Sequence, residues 1–594
     1  MTAFGPRSRP RPVVAFSAPL EAGEAVPKTV REIIDAVSTQ QPNACDLIHE
    51  VARSDGALLA TVDLASGQRR TFAQLSTGIA KVASRLSMLG VRPRDRVAVF
   101  VADGPRFVTL VNALFHLGAV PLLIDPGMGV ANVARCMREQ KPRVLLGIKK
   151  AQVLRWLLAL THGRDAMASV ALNIVVDAWF PGAKTLSTAD DGDRDTYLPM
   201  FRQPAHETAA VLYTSGSTGA PKGVLYTHGM LTAQSQSIRD LFNVARGDVD
   251  VCCFLPFALF SVAMGTTAVF PAMDFRFPAR ARAENIWRAL TQGADKPATS
   301  AFASPALWEP FSQFLVAQQL KLPALKRVLT AGAPVRPQLH ERLLQVLSDD
   351  ADVFTPYGAT EALPVAFMGG RAVVNETAVS TRSGKGTCVG APAPGISVKI
   401  IGLHDGPIEF LDDAELLAQG EIGEIIVTGG CVTRAYDESG ASGTAANALA
   451  KIRASRADGD GDDGVIWHRM GDAGYLDAAG RLWFCGRKAH RVELADGVIL
   501  HSVPVEAVVE TLVDGSAQRA ALVGVGERGR QKAVVFVEQG EKAVPTLEAV
   551  RALPGCAAID EVRTFVGSFP VDRRHNAKIE RERLAVLAAE RVRV

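Results

Sequence analysis

Tyr213-Thr214-Ser215-Gly216-Ser217-Thr218-Gly219-Ala220-Pro221-Lys222-Gly223 follows the apolar run Ala209-Ala210-Val211-Leu212, which reads as a short buried strand, and precedes residues of moderate helical pattern. Chemically the stretch is a phosphate cradle. Gly216, Gly219 and Gly223 let backbone N–H groups approach an anion that a Cβ would obstruct. The hydroxyls of Thr214, Ser215, Ser217 and Thr218 add rotatable donors, and Lys222 adds a positive point charge on a flexible stem. A Walker A loop needs glycine before the lysine and Ser/Thr after it. Here Pro221 precedes and Gly223 follows, which disfavours a P-loop NTPase. A Ser/Thr/Gly string can also be a flexible linker; the flanking strand and the Pro-Lys-Gly ending favour the cradle.

Working outward, a chain of 594 residues is long enough for three or four domain-sized units. Its 48% apolar and 21% charged content is ordinary for a soluble globular protein, and a net charge of +3 implies no strong field for nucleic acid. The eight cysteines include no C-x-x-C pair, so neither a zinc framework nor a disulfide framework is indicated, and a reducing cytoplasm is expected. No apolar signal core opens the chain. Two uncharged runs, 107–124 and 251–273, meet the length of a membrane span. Internal Gly and Pro make buried strand–helix units the better reading of both. Residues 1–28, rich in Pro, Ala and Arg, read as a disordered basic tail, with weak attraction to anionic lipid as the sharper alternative.

The string Tyr213–Gly223 resembles the signature loop of the adenylate-forming superfamily, which includes acyl-CoA synthetases, nonribosomal adenylation domains and luciferases. Members activate a carboxylate with Mg-ATP, giving an acyl-adenylate and pyrophosphate. The resemblance implies an α/β fold: a large N-terminal domain of two α/β subdomains plus a small β-barrel, and a small mobile α+β C-terminal domain. We place these at 29–488 and 489–594. The alternation of strands and helices from Leu58 onward fits parallel sheet, and period-2 strands from about Val389 fit the barrel.

Further blocks along the chain resemble the superfamily's other motifs. Gly332-Ala333-Pro334 closes a strand in a glycine turn and, by resemblance, borders adenine. In Thr355-Pro356-Tyr357-Gly358-Ala359-Thr360-Glu361, Tyr357 offers a ring for adenine beside Gly358, Thr360 a hydroxyl for the α-phosphate, and Glu361 a hard oxygen ligand for Mg²⁺. A glutamate in such a place, read as a helix start, could also be a dipole-favoured cap. In His468-Arg469-Met470-Gly471-Asp472, Asp472 matches the ribose-binding aspartate; a carboxylate can accept both ribose hydroxyls. Arg487 matches the arginine near ribose and phosphate. Lys578, in Asp572–Ile579, matches the lysine that bridges the substrate carboxylate and the α-phosphate, although a lysine in a basic run is ordinarily solvated. Phe254–Phe260 divides between core packing and acyl pocket, and His116 reads as a satisfied core histidine. Asp458–Gly464 opens like a calcium loop but lacks the glycine and glutamate such a loop needs.

Where typical CoA ligases carry G-R-x-D-D-x-I-K, this chain has Gly486-Arg487-Lys488-Ala489-His490-Arg491-Val492-Glu493. Ala489 and His490 replace both acids, and Glu493 replaces the lysine. With the Asp125-Pro126-Gly127-Met128-Gly129 turn, this makes the chain most similar to the olefin β-lactone synthetases. That resemblance implies a long-chain 2-alkyl-3-hydroxy fatty acid cyclised to a β-lactone, with thiolase, reductase and decarboxylase partners in a hydrocarbon pathway and at most peripheral membrane contact. Fatty acyl-CoA or acyl-AMP ligase activity is the alternative, and a non-catalytic acyl- or nucleotide-binding homologue a second.

Overall fold

The computed structural model describes residues 43–590 apart from 102, 162–163, 190–197, 215–220, 456–463, 514–517 and 572–577. The basic tail 1–28, the loop residues Ser215, Gly216, Ser217, Thr218 and Gly219, and most of the calcium-like string lie outside the described residues.

Two large sheets carry the body of the chain. The first has seven strands, in spatial order Lys184–Leu186, Leu172–Val176, Val144–Gly147, Arg96–Phe100, Val120–Leu123, Thr208–Thr214 and Lys222–Thr227. All neighbours are parallel except the last pair, which is an antiparallel hairpin. Thr214 and Lys222, which flank the cradle, are paired across that hairpin. The residues after the cradle do not enter a helix at once: Lys222–Thr227 pairs back first, and the helix His228–Leu241 starts only where Thr227 caps it by accepting from the Met230 N–H.

The second sheet has fourteen strands. Its parallel half runs from Asp352–Ala359 through Arg327–Thr330, Ser300–Ala303, Val249–Cys252 and Thr267–Phe270 to Leu59–Asp63. The antiparallel strands expected beyond Val389 are present, but among the described residues their hydrogen bonds do not close a barrel. They continue the same sheet, from Ala362–Gly369 through Thr387–Pro392, Leu482–Arg487, Ile466–Leu476 and Gly423–Gly429 to Ile396–Ile401. Alternation records which side chains share a face; it carries no information on closure.

Both apolar runs are folded core. The first supplies most of the helix Gly104–Leu117 and the strand Val120–Leu123; the second supplies two strands around the helix Leu255–Ala263. Among the described residues no helix is long and apolar enough to cross a membrane. His116 is indeed satisfied: one ring nitrogen lies 3.0 Å from the Leu198 carbonyl and the other 3.1 Å from His49 Nε2. All eight cysteines are buried and free.

The C-terminal part has its own three-stranded sheet, Ala520–Val525, Lys532–Glu538 and Glu561–Phe565. Alternate residues serve opposite faces. Leu522, Ala533 and Val535 pack under Val505 and Val508 of the helix Ser502–Val509, while Ala521, Val534 and Phe536 pack under Leu584 and Ala588 of the helix Arg581–Ala589.

Candidate active site

A cavity of about 1520 Å³ lies where the edge hairpin of the first sheet, the middle of the second and the C-terminal part meet. Its polar end is built from strand termini. Lys222 opens the returning arm of the hairpin, Gly332 follows the parallel strand Arg327–Thr330, and Thr360 and Glu361 form the turn between Asp352–Ala359 and Ala362–Gly369. Gly332 adopts φ +101°, a left-handed value that favours glycine. Glu361 thus sits in a β-hairpin turn, not at a helix start, so the dipole-cap reading falls. Ligand-binding groups at the C-terminal ends of parallel strands are the expected placement in such sheets.

Glu361 is almost completely buried. Its Oε1 accepts from the Tyr436 hydroxyl at 2.7 Å, and its backbone carbonyl accepts from the Thr433 N–H at 2.8 Å. The Tyr436 ring in turn has the ammonium groups of Lys222 and Lys451 each 5.4 Å from its centroid. Lys451 donates to the carbonyl and hydroxyl of Thr433. Burial pushes its ammonium down to about 7, opposed by the Glu361 charge. His468, the residue opposite Lys451 in the strand pair, is buried at the cavity wall, and burial, then Lys451, drives its imidazole well below the ordinary range.

Asp472 and Arg487 face each other across the pair Ile466–Leu476 and Leu482–Arg487. Asp472 Oδ2 accepts from the Tyr357 hydroxyl at 2.6 Å. Arg487 Nη1 lies 3.0 Å from Oδ1, but that oxygen has no hydrogen-bond partner although it is buried. Burial raises the carboxyl's pKa, with Arg487, Tyr357 and Lys578 opposing. Lys578 lines the same cavity. Of the residues singled out in the sequence, Lys222, Gly332, Gly358, Thr360, Glu361, Arg487 and Lys578 border the cavity. Tyr357 and Asp472 stand just behind that wall as a hydrogen-bonded pair, Ala333 and Pro334 continue the Gly332 turn, and Thr214 ends the hairpin arm. Tyr436, Lys451, His468 and Glu424 were not identified. Glu424 is the buried centre of an ion cluster, with Arg469 at 2.6 Å and Lys488 at 2.8 Å.

The other arm of the cavity is apolar. Phe254, Leu255, Phe257, Leu259 and Phe260 line it, and Phe257 stacks on Phe302 at 3.8 Å between centroids. The segment read as divided between core and pocket therefore does both. Taken as a whole, the site joins a cationic and carboxylate-bearing head to a wall of apolar and aromatic side chains. The residues fit a magnesium nucleotide. Glu361 is a hard oxygen donor, Lys222, Arg487 and Lys578 supply positive charge, and Asp472 Oδ1 is a buried acceptor without a donor.

The chain belongs to the AMP-binding enzyme family, whose model matches residues 48–437. It is an ATP-dependent adenylate-forming ligase, and it is homologous to olefin β-lactone synthetases. It is 38% identical to that enzyme from Stenotrophomonas maltophilia over 96% of this chain and 98% of the relative, and 39% identical to the one from Xanthomonas campestris over 88% and 91%. Its fold is similar to that of the amide bond synthetase McbA from Marinactinospora thermotolerans, with a TM-score of 0.72 at 19% identity over 92% of this chain and 99% of that one. It is also similar to O-succinylbenzoate Coenzyme A synthetase from Bacillus subtilis in complex with ATP and magnesium ion, with a TM-score of 0.67 at 20% identity over 92% and 99%.

Proposed function

We propose that this cavity converts a long-chain 2-alkyl-3-hydroxy fatty acid to a β-lactone, releasing AMP and pyrophosphate. The observation that carries this reading is the union of a phosphate- and ribose-suited head with an aromatic arm in one cavity. Thr214, Ser215, Gly216, Ser217, Thr218, Gly219 and Lys222 hold the triphosphate. Gly332, Ala333, Pro334, Tyr357 and Gly358 border adenine, and Asp472 with Arg487 takes the ribose. Thr360 donates to the α-phosphate, and Glu361 would hold a bound Mg²⁺, which would supply neutralisation of phosphate charge. Lys578 bridges the substrate carboxylate and the α-phosphate. The work is positioning and electrostatic stabilisation, for which no acid/base pair or covalent nucleophile of the protein is needed.

In the first step a carboxylate oxygen attacks the α-phosphorus and pyrophosphate leaves. In the second the substrate's own β-hydroxyl oxygen attacks the acyl carbon, the acyl–oxygen bond to AMP breaks, and the hydroxyl proton leaves with the AMP phosphate. An internal nucleophile at high effective molarity makes a thiol channel unnecessary. The segment where CoA ligases carry two acids is used otherwise here: His490 pairs with Glu582 at 3.2 Å, and Arg491 pairs with Asp405 and Glu493. Residues 29–488 form the adenylating domain, and 489–594 form a mobile domain that carries Lys578 in and out. Thiolase and reductase activities would supply the hydroxy acid, and a decarboxylase would consume the lactone. The test is incubation with Mg-ATP and a racemic 2-alkyl-3-hydroxy fatty acid, with and without CoA, and identification of products by NMR. Lactone plus AMP without CoA is expected; a thioester formed only with CoA would overturn the reading in favour of an acyl-CoA ligase.

A further inference from the structure

The helix Lys149–Thr161 has the sequence Lys-Lys-Ala-Gln-Val-Leu-Arg-Trp-Leu-Leu-Ala-Leu-Thr, with three cations and no acid. One of its faces is ordinary core: Ala151, Gln152 and Leu158 are buried. Another is not. Val153, Trp156, Leu157 and Leu160 recur at i, i+3, i+4 and i+7, the spacing of a single helical stripe, and they are 54%, 48%, 43% and 84% exposed. Isolated exposed leucines need no explanation, but a contiguous stripe does. The patch extends beyond the helix. Trp156 packs on Phe180 with ring centroids 5.1 Å apart, and Trp179 beside it is 73% exposed.

The same helix borders the active-site cavity through Lys150, Ala151 and Leu154. The segment Phe275–Arg280 lines the same cavity as Lys150, and just before it Asp274 pairs with Arg276 at 2.6 Å. There Arg276 and Arg280 flank the Phe277 ring, with guanidinium carbons 5.6 and 5.0 Å from its centroid, and all three residues line the cavity. Phe277 is 44% exposed. The helix that carries the outward apolar stripe thus also lines the cavity through Lys150, Ala151 and Leu154, and the basic Lys149, Lys150 and Arg280 and the Asp274–Arg276 pair flank that wall.

We infer that this stripe docks on an anionic lipid surface, so that the mouth of the apolar arm opens at the membrane in which long-chain substrate and product dissolve. Charge decides the occupant. A helix whose only charged side chains are the basic Lys149, Lys150 and Arg155, next to Arg280 and with Arg276 already paired to Asp274, carries net positive charge suited to phosphate headgroups, and Trp favours the interface between headgroup and acyl chain. At 13 residues the helix is too short to span and lies flat, with its stripe in the acyl boundary. The docking step needs no chemistry at the active site, so it stands or falls separately from the lactone reading, although its benefit rests on a long-chain substrate.

The test is flotation of the full chain with vesicles of phosphatidylcholine alone and with one-third phosphatidylglycerol, followed by the same assay on Leu157→Glu/Leu160→Glu. We expect binding to the anionic vesicles, a blue shift of tryptophan emission on binding, and at least about tenfold less bound protein for the variant. ATP–pyrophosphate exchange with a short, water-soluble acid should be unchanged in the variant, which shows that it is folded. Absence of binding to anionic vesicles, or binding that the variant retains, would overturn the inference. So would concentration-dependent self-association that the variant abolishes, because a second copy would then own the stripe.

Discussion

Replacing Asp472 by Asn tests the nucleotide site at its most constrained point. The carboxylate is buried, one oxygen is committed to the Tyr357 hydroxyl at 2.6 Å, and the other faces Arg487 at 3.0 Å without a hydrogen bond. A ribose hydroxyl donating to that second oxygen would form a charge-assisted bond, worth about 1.5–3 kcal/mol. The amide keeps the shape, and its carbonyl can still accept from Tyr357, so the fold should survive. What is lost is the anionic acceptor, and the amide N–H₂ is turned toward Arg487 instead. AMP binding measured by calorimetry at pH 8 should weaken roughly 10- to 150-fold, the range that this energy spans. Tyr357→Phe removes the hydroxyl that holds the carboxylate and leaves the ring, so it should weaken AMP several-fold in wild type and much less in the Asn variant. A coupling energy of at least about 1 kcal/mol is expected for the pair. An AMP affinity unchanged within twofold in Asp472→Asn, with normal thermal unfolding, would refute the assignment of this pair to the ribose.

Glu361→Gln should preserve folding, because the amide oxygen can accept from Tyr436, yet raise the Mg²⁺ concentration needed for ATP–pyrophosphate exchange and slow the exchange about a hundredfold; a magnesium titration reads both. Lys578→Ala should cost at least about a hundredfold in exchange while AMP affinity stays within a few-fold, because the ammonium acts at the reacting phosphate more than at the nucleoside; single-turnover rates and calorimetry separate the two. Glu510 predicts a pH dependence of stability. Burial lifts its carboxyl from 4.5 to about 7 despite Arg336 at 2.9 Å. The folded chain therefore holds a proton that the unfolded chain gives up at lower pH, and this contribution to stability is present below pH 4.5 and is lost as pH rises to 7. Glu510→Gln should remove that slope, gaining up to about 3 kcal/mol over wild type at pH 8 relative to pH 5 in urea unfolding.

The parts of the site that could be read from sequence are those whose chemistry sits in contiguous strings, because a hairpin tip or strand end keeps its residues together. Thr360 with Glu361, Met470 to Asp472, and Arg487 are of this kind. Tyr436, Lys451 and His468 are not. They meet because strand register sets Lys451 opposite His468 and a non-local bridge joins Val224 to Tyr436, and neither contact leaves a trace in spacing. The return strand Lys222–Thr227 was hidden for a different reason: six residues running into a helix give too short a window for period 2 to outweigh period 3.6. The stripe Val153, Trp156, Leu157, Leu160 lies in a stretch not singled out in the sequence, and its periodicity would in any case assign an apolar face without saying whether core or solvent lies against it. Only the packing reveals that this helix has a second, uncovered face.

The contacts of the C-terminal part bear on why a ring-closing enzyme can differ from a thioester-forming one. Asp405 is gripped by Arg491 at 2.7 Å and by Arg528 at 2.9 Å, and these two guanidiniums, Arg491 foremost, hold its carboxyl well below the usual range. Arg336 reaches Glu510 at 2.9 Å. Such contacts favour one arrangement, the one in which Lys578 borders the cavity. If the C-terminal domain is mobile as proposed, a second step that needed it to swing away would be slowed by each ion pair across the boundary. On the proposed reaction the nucleophile already lies on the substrate, so no such swing would be required between the two steps and the clamp can be strong. Asp405→Asn should then speed product release or leave it unchanged while lowering the rate of acyl-adenylate formation in single turnover. An equal fall in both rates would mean that the clamp only supports the fold.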